Sequence, residues 1–186
     1  MAKNNYHHGN LKNELIEMGL EYIDKNGVES LSLRKLAETA GVSCAAPYAH
    51  FKNKEDFLTA IQDYITERFM DVLTGAAEFC NDKSRLLIVL GISYVRFFYE
   101  NPLYYSFLFN KRCPDFELYS PFLFFRECVT TTIGKGLDEE QLKHTVIALW
   151  SMVHGLAGLI TYEGVADPKR IPEEIEQIIT SVEIRR

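Results

Sequence analysis

The sequence predicts an all-α protein with about nine helices, and two observations carry this prediction. Apolar residues recur three or four positions apart along the chain, which is the spacing of one helix face. Residues that cap or end helices, chiefly Asn, Asp, Ser, Gly and Pro, separate these stretches. Strand-like alternation, hairpin turns, repeats and low-complexity segments do not occur in the sequence.

Four predicted helices lie in the first part of the chain. Gly27 and Gly41 end the first and the second, and acidic residues in the first turn of the fourth suit the helix dipole. The capping residues of the four helices are, in order, Asn10, Ser30 or Ser32, Ser43 and Asn53. The other five helices are expected over 86–99, 102–109, 121–129, 138–162 and 172–182.

Composition excludes several classes of protein. Apolar residues make up 47% of the 186 residues, which is enough for a core and too many for a disordered chain. No apolar run is long enough to span a membrane, and the polar start does not resemble a signal peptide. The cysteines lie far apart and form no CxxC pair, which favours reduced thiols in a cytoplasmic protein over disulfides or a zinc site. They are Cys44, Cys80, Cys113 and Cys128.

The charge is distributed unevenly along the chain. Residues 1–54 carry seven Lys or Arg against six Asp or Glu, whereas residues 55–186 carry 13 against 20. Between Arg34 and Lys54 the only acidic residue is Glu38. A phosphate backbone responds to local charge, so the net charge of −6 leaves DNA binding possible.

The segment 31–51 gives the strongest functional signal. Ala37 and Gly41 have the spacing of a helix-turn-helix, in which a small residue allows close helix crossing and a glycine takes the turn. Ser43 can then cap a third helix that displays Tyr48 and His50. This third helix is too short and too poor in apolar residues for a core element, and it suits the DNA major groove.

The N-terminal part resembles the TetR (tetracycline-repressor) family of transcriptional regulators over residues 9–69, with the helix-turn-helix at about 31–50. The likeness rests on Leu31-Ser-Leu-Arg34, Gly41-Val-Ser43, Tyr48-Ala-His-Phe51 and Lys54 before a long helix. Leu is usual in the family at the position of Pro47. Tyr6-His-His-Gly-Asn-Leu11, Ala46-Pro-Tyr48 and Trp150-Ser-Met-Val-His-Gly155 are similar to the subgroup with a WHG-type C-terminal domain.

The resemblance implies a set of DNA-binding residues. Tyr48 and His50 are expected to face DNA from the recognition helix, while Lys54 and Ser32 contact phosphates. Lys3 and the adjacent histidines at 7 and 8 are expected to form an arm to the DNA or to be only a disordered tail. The full predicted set is Ser32, Arg34, Ser43, Cys44, Ala45, Tyr48, His50 and Lys54.

The resemblance also implies a homodimer with an effector site and a dimer interface in residues 70–186. The aromatic residues of this part are expected to be either ordinary core or the lining of a largely apolar effector cavity. The cavity candidates are Phe98, Tyr105, Phe109, Phe125, Trp150 and His154. Small residues near one face of the helix that begins after residue 138, together with the last helix, indicate a four-helix dimer contact or an intramolecular one. The interface candidates are Ser151, Gly155, Gly158, Ile175, Ile178 and Val182.

The sequence therefore predicts a cytoplasmic, DNA-binding transcriptional regulator, a repressor released from operator DNA by a small-molecule effector. The alternative is a helical ligand carrier or adaptor that does not bind DNA and leaves the 31–51 segment unexplained. Motifs of hydrolases, metalloproteases, nucleotide-binding loops and dinucleotide-binding folds do not occur, and the five histidines are scattered. We therefore expect no enzyme activity, no cofactor and no metal.

Overall fold

The structure is a computed structural model that describes residues 11–112, 114–160 and 170–181. Within these residues the chain forms eight α-helices and no strand, as an all-α prediction requires. The helices are α1 Leu11–Asn26, α2 Leu33–Ala40, α3 Lys54–Glu78, α4 Leu86–Glu100, α5 Pro102–Tyr105, α6 Ser120–Ile133, α7 Glu139–Leu159 and α8 Ile171–Ser181. The expected N-terminal arm with Lys3, His7 and His8 lies outside the described residues, as does Val182.

The predicted third helix is wrong, which reduces the count from nine α-helices to eight in the described part of the chain. The structure has only a 3-10 turn there, over Pro47–Ala49. Proline has no backbone N–H, so position 47 cannot donate to the carbonyl four residues earlier. Most of the local bonds span three residues instead: Ala46 N–H donates to Ser43 O at 2.9 Å, and His50 N–H to Pro47 O at 3.0 Å. A single bond of four-residue spacing, from Phe51 N–H to Pro47 O at 2.9 Å, closes the segment.

The helix between residues 102 and 109 is interrupted. After the four residues of α5 the backbone widens into a π-helical turn over Ser106–Lys111. Arg112 N–H donates to Phe107 O at 2.8 Å, which is the five-residue spacing of such a turn. We call residues 102–112 the connector, because they contact both α1 and α4.

Helix α4 lies at the centre of the fold and packs against α3, α6, α7 and α8. Helices α1 and α2 pack together around Leu15 and Leu36, and the ring of Phe51 meets that of Phe57 at 4.8 Å. Helix α3 runs unbroken for 25 residues, through the expected domain boundary near residue 70. The buried apolar residues form one continuous cluster, so the head (residues 11–53 and the start of α3) and the body share a core. None of the described helices is long and apolar enough to cross a membrane.

Candidate functional site

The turn that ends α2 has the geometry that the sequence predicts. Ser32 caps the helix, and its Oγ accepts a hydrogen bond from Lys35 N–H at 3.2 Å. Gly41 takes the left-handed conformation with φ 64°, which glycine adopts without steric cost. Val42 N–H donates to Ala37 O at 3.1 Å and closes the turn. The next segment is thereby directed across α2.

The five predicted DNA-binding residues after this turn are all exposed on the protein surface. Tyr48 has 57% of its surface exposed, although it is a large aromatic residue. Pro47, which precedes it, is buried and fills the place that a core side chain would take. We call the exposed set the reading surface; it consists of Ser43, Cys44, Ala45, Tyr48 and His50.

Arg34 and Ser32 lie at the start of α2, beside this surface. The Arg34 side chain is exposed and its Nε lies 3.6 Å from Oε1 of Glu38, one helical turn further on. An exposed pair of this kind contributes little to stability and can be exchanged for a phosphate contact. Ser32 is half-buried and its hydroxyl oxygen already accepts the capping bond from Lys35. A phosphate at Ser32 would therefore accept a hydrogen bond from the Ser32 hydroxyl or from backbone N–H groups.

Lys54 begins α3 but is directed partly inward. Its Nζ donates to Glu29 O at 3.3 Å, in the short turn between α1 and α2. Asn53 caps the helix, and its side chain accepts from Asp56 N–H at 2.8 Å, as predicted. Lys54 is half-buried, so the structure gives it a bond within the head in addition to any contact with DNA.

A hydrogen-bond network that sequence reasoning missed joins the head to the body. The Glu17 carboxylate on α1 accepts from Tyr64 Oη of α3 at 2.7 Å and from Tyr104 Oη of the connector. Arg68 donates to Tyr64 Oη at 3.1 Å and also lies over the Tyr64 ring. Burial, followed by the hydrogen bond to Glu17, raises the pKa of Tyr104 and of Tyr64, so both remain donors.

Arg112, at the other end of the connector, makes a second link to the start of α3. Its guanidinium lies 2.6 Å from Glu55 Oε1 and donates to Gln62 Oε1 at 3.1 Å and to Thr59 Oγ1 at 3.4 Å. The hydrogen bond and the charge of Arg112 lower the pKa of Glu55. The partners in these two links are 47 to 87 residues apart, so no local spacing could indicate them.

The six predicted effector-site residues lie together in one assembly of rings. His154 is its centre: the ring centroids of Phe109 and Tyr105 lie 4.6 and 5.3 Å from it. Phe98 lies 5.5 Å from Phe109, which connects α4 to the connector. Phe125 and Trp150 form the far side of the assembly, 5.5 Å apart. We call this assembly the aromatic cluster.

The sequence did not single out Tyr94, Phe116, Tyr119 or Phe122 as cluster members. Tyr94 Oη lies 2.9 Å from His154 Nδ1 and its ring meets Trp150 at 5.1 Å, while Tyr119 lies 6.4 Å from Trp150. Burial lowers the pKa of His154, so the imidazole is mainly neutral at neutral pH. Burial also raises the pKa of Tyr94, as do the neighbouring hydroxyls of Tyr119 and Tyr105.

Two family models match this chain. The model described as "Bacterial regulatory proteins, tetR family" matches residues 15–61. The model described as "Tetracyclin repressor-like, C-terminal domain" matches residues 87–182, more than half of the 186 residues. The chain belongs to the TetR family of transcriptional regulators. The predicted family and the predicted transcriptional function are thus confirmed, while the WHG-type subgroup stays a prediction.

Two individual relatives agree with this assignment. The uncharacterized HTH-type transcriptional regulator Rv0681 of Mycobacterium tuberculosis is 25% identical over 163 residues, which cover 84% of this chain and 72% of that protein. The Tetracycline repressor protein class A from transposon 1721 of Escherichia coli is 41% identical over 51 residues, 27% of this chain and 24% of that protein.

Solved structures share the TetR fold at low identity. A putative transcriptional regulator from Pseudomonas aeruginosa PAO1 superimposes with a TM-score of 0.75 and 18% identity, covering 91% of this chain and 86% of that one. A TetR/AcrR-family regulator from Thermobifida fusca superimposes with a TM-score of 0.65 and 19% identity, covering 94% of this chain and 98% of that one.

The predicted dimer residues of this TetR-family chain fall into two groups. Ser151 and Gly155 are exposed on α7 and Ile178 is exposed on α8. Gly158 and Ile175 do not lie on that exposed face of the protomer, and the dimer interface itself stays a prediction. A Cβ on Gly158 would come within 2.8 Å of Tyr105 Oη of the same chain, and Ile175 is only 1% exposed. The close approach at Gly158 is therefore intramolecular.

Proposed function

We propose that the chain is a dimeric repressor that binds operator DNA through the reading surface and leaves it when an apolar effector enters the aromatic cluster. The observation that carries the proposal is the exposure of five neighbouring residues directly after a helix-turn-helix turn. An aromatic ring as exposed as that of Tyr48 is typical of a surface that a partner covers, because its apolar part otherwise remains in water.

The DNA contacts divide by chemistry. Tyr48 and His50 offer hydrogen bonds to phosphates and base edges, while Cys44 and Ala45 are small and can approach thymine methyl groups. Arg34 and Lys54 supply positive charge on either side. The 3-10 turn makes this contact surface shorter than a regular recognition helix, so fewer base pairs are read directly.

The effector would act through the connector. Tyr105 and Phe109 of the connector pack on His154 in the aromatic cluster. In the same segment, Tyr104 binds Glu17 of α1, and Arg112 binds the start of α3. Displacing a ring in the cluster would shift the connector and with it the head. The effector would act by favouring one of two arrangements that the free chain can already adopt. The proposed division is a DNA-binding domain at 9–69 and an effector and dimerisation domain at 70–186.

Dimerisation would bring two heads onto one operator. The exposed apolar and small residues of α7 recur every four positions and form a stripe, and Ile178 is exposed on α8. The stripe consists of Ile147, Ser151, Gly155 and Leu159. Two such stripes from two protomers would form a four-helix contact. Helix-turn-helix dimers need half-sites about 34–36 Å apart, so a small tilt of the heads is enough to weaken binding.

A salt titration of DNA binding tests the proposal. The full chain is titrated against labelled DNA from upstream of its own gene, with unrelated DNA of equal length as the control. We expect tighter binding to the upstream DNA, with the logarithm of the binding constant falling linearly with that of the salt concentration. Equal, weak binding to both DNAs would reject the repressor and favour a carrier or adaptor.

A further inference from the structure

Two buried polar atoms of the aromatic cluster lack a hydrogen-bond partner. They are Tyr119 Oη and Trp150 Nε1. Tyr119 is 4% exposed and Trp150 is 6% exposed, so water does not reach them from the surface. Buried polar groups are nearly always satisfied in folded proteins, and an unsatisfied one lowers stability. A phenylalanine at position 119 would avoid this penalty, so the hydroxyl calls for another explanation.

The two groups belong to the same part of the cluster. The rings of Tyr119 and Trp150 meet edge to face, and the ring of Phe116 lies 5.9 Å from the first and 6.3 Å from the second. Phe116 itself is only half-buried and comes from the loop before α6. An entering molecule could displace this ring without unwinding a helix.

The chemistry of the pair limits what it can bind. An indole N–H only donates, and a phenol hydroxyl is free to donate as well, so the pair calls for an acceptor. The other polar groups nearby already bond one another, since Tyr94 and Tyr105 both contact His154. No charged side chain is buried among the described residues, and burial keeps His154 mainly neutral. An anion would therefore give up its hydration with no cation to replace it.

We propose that the effector is a neutral, mainly apolar carbonyl compound whose oxygen accepts hydrogen bonds from Trp150 Nε1 and Tyr119 Oη. This inference rests on the proposed effector site. Its apolar part replaces Phe116 against Phe122 and the Trp150 ring. A carboxylate of the same size is excluded by charge, and a hydrocarbon leaves both donors unsatisfied.

The fluorescence of the full chain provides the test, because Trp150 is its one tryptophan and lies at the proposed site. Two saturated probes of matched size are titrated: decalone, a neutral ketone, and decalin carboxylate, its anionic counterpart. We expect decalone to change the Trp150 emission saturably and the carboxylate to have no effect at neutral pH. Equal or tighter binding of the carboxylate, or no saturable response to decalone, would overturn the ligand class.

A matched pair of variants tests the role of the hydroxyl. Tyr119→Phe should bind decalone about tenfold more weakly, since one hydrogen bond is removed, yet it should melt at the same or a higher temperature than wild type. Tyr99→Phe removes a hydroxyl from half-buried Tyr99 of α4 and should leave the affinity unchanged. Unchanged affinity in Tyr119→Phe would show that the hydroxyl does not bind the ketone and would overturn its proposed role. A clear fall in its melting temperature would show instead that the hydroxyl is structural.

DNA binding is measured separately, so that the two proposals fail independently. Suppose that decalone binds, that Tyr119→Phe weakens this binding, and that decalone does not release the operator DNA. The ligand class then stands and the release mechanism is wrong. If the operator complex forms as proposed and neither probe reaches Trp150, the repressor stands and the ligand class is wrong.

Discussion

At the scale of single residues, Lys54 has two competing roles. Its Nζ bonds to Glu29 O within the head, and the resemblance to TetR regulators also places it against a phosphate. A lysine can do both, because an ammonium group has three donors and a flexible stem. The neighbouring Lys52 is exposed, whereas Lys54 is half-buried, so the two lysines form a natural pair for comparison.

We expect Lys54→Ala to weaken binding to every DNA sequence and to reduce the salt slope by about 0.9 for each phosphate that the chain no longer neutralises. Lys52→Ala, the control, should change the slope less. Anisotropy titrations at several salt concentrations give both slopes. If Lys54→Ala keeps the wild-type slope but melts at a lower temperature, its role is only to hold the turn at Glu29.

The residue scale also shows what the sequence could and could not predict. The Ser32 cap and the Gly41 turn were predictable because both depend on local backbone chemistry. Gly155 and Gly158 could not be separated, because residues three apart lie near the same helix face and only the packing of Tyr105 decides between them. Tyr119 has no local signal at all, since its significance lies in a missing partner.

At the scale of elements, the third predicted helix and the connector both depart from the regular helices that the sequence predicts. The expected recognition helix is replaced by a 3-10 turn that begins at Pro47, which has no N–H to donate. The connector was expected to be one short helix, yet it contains a π-helical turn that directs some side chains to the cluster and others to the head. The bonds of Arg112 to Gln62, Thr59 and Glu55 reach 50 to 57 residues back along the chain, beyond any sequence periodicity.

The link between Arg112 and Glu55 should make the stability of this element depend on pH. Arg112 lowers the pKa of Glu55 in the folded state. The ion pair therefore stabilises the fold at pH values above the pKa that Glu55 has in the unfolded chain. This stabilisation is lost as the pH falls through the lower pKa of Glu55 in the folded chain. Arg112→Gln should therefore lower the melting temperature at neutral pH and have a smaller effect in acid. Thermal melts of wild type and variant from neutral to acidic pH measure this fall in melting temperature. If the fall is the same at every pH, it comes from the lost hydrogen bonds to Gln62 and Thr59.

At the scale of the whole molecule, the decisive question is which surface pairs two protomers. Gly155 and Gly158 give opposite predictions, because one is exposed and the other packs within the chain. A Cβ at Gly155 would have no atom within 4 Å, so a larger side chain fits the single protomer. Glutamate also favours a helix over glycine by up to about 1 kcal/mol.

We therefore expect Gly155→Glu to remain folded and helical but to dissociate into monomers, because the substitution buries an unpaired charge at the proposed two-fold contact. Its affinity for operator DNA should fall sharply, since a single head occupies one half-site. Gly158→Ala is the control: its Cβ meets Tyr105 of the same chain and not a second protomer, so it should leave the dimer intact. Sedimentation velocity gives the oligomeric state and circular dichroism the helix content. A Gly155→Glu chain that remains dimeric would place the interface on another face, and the stripe on α7 would then need a different partner.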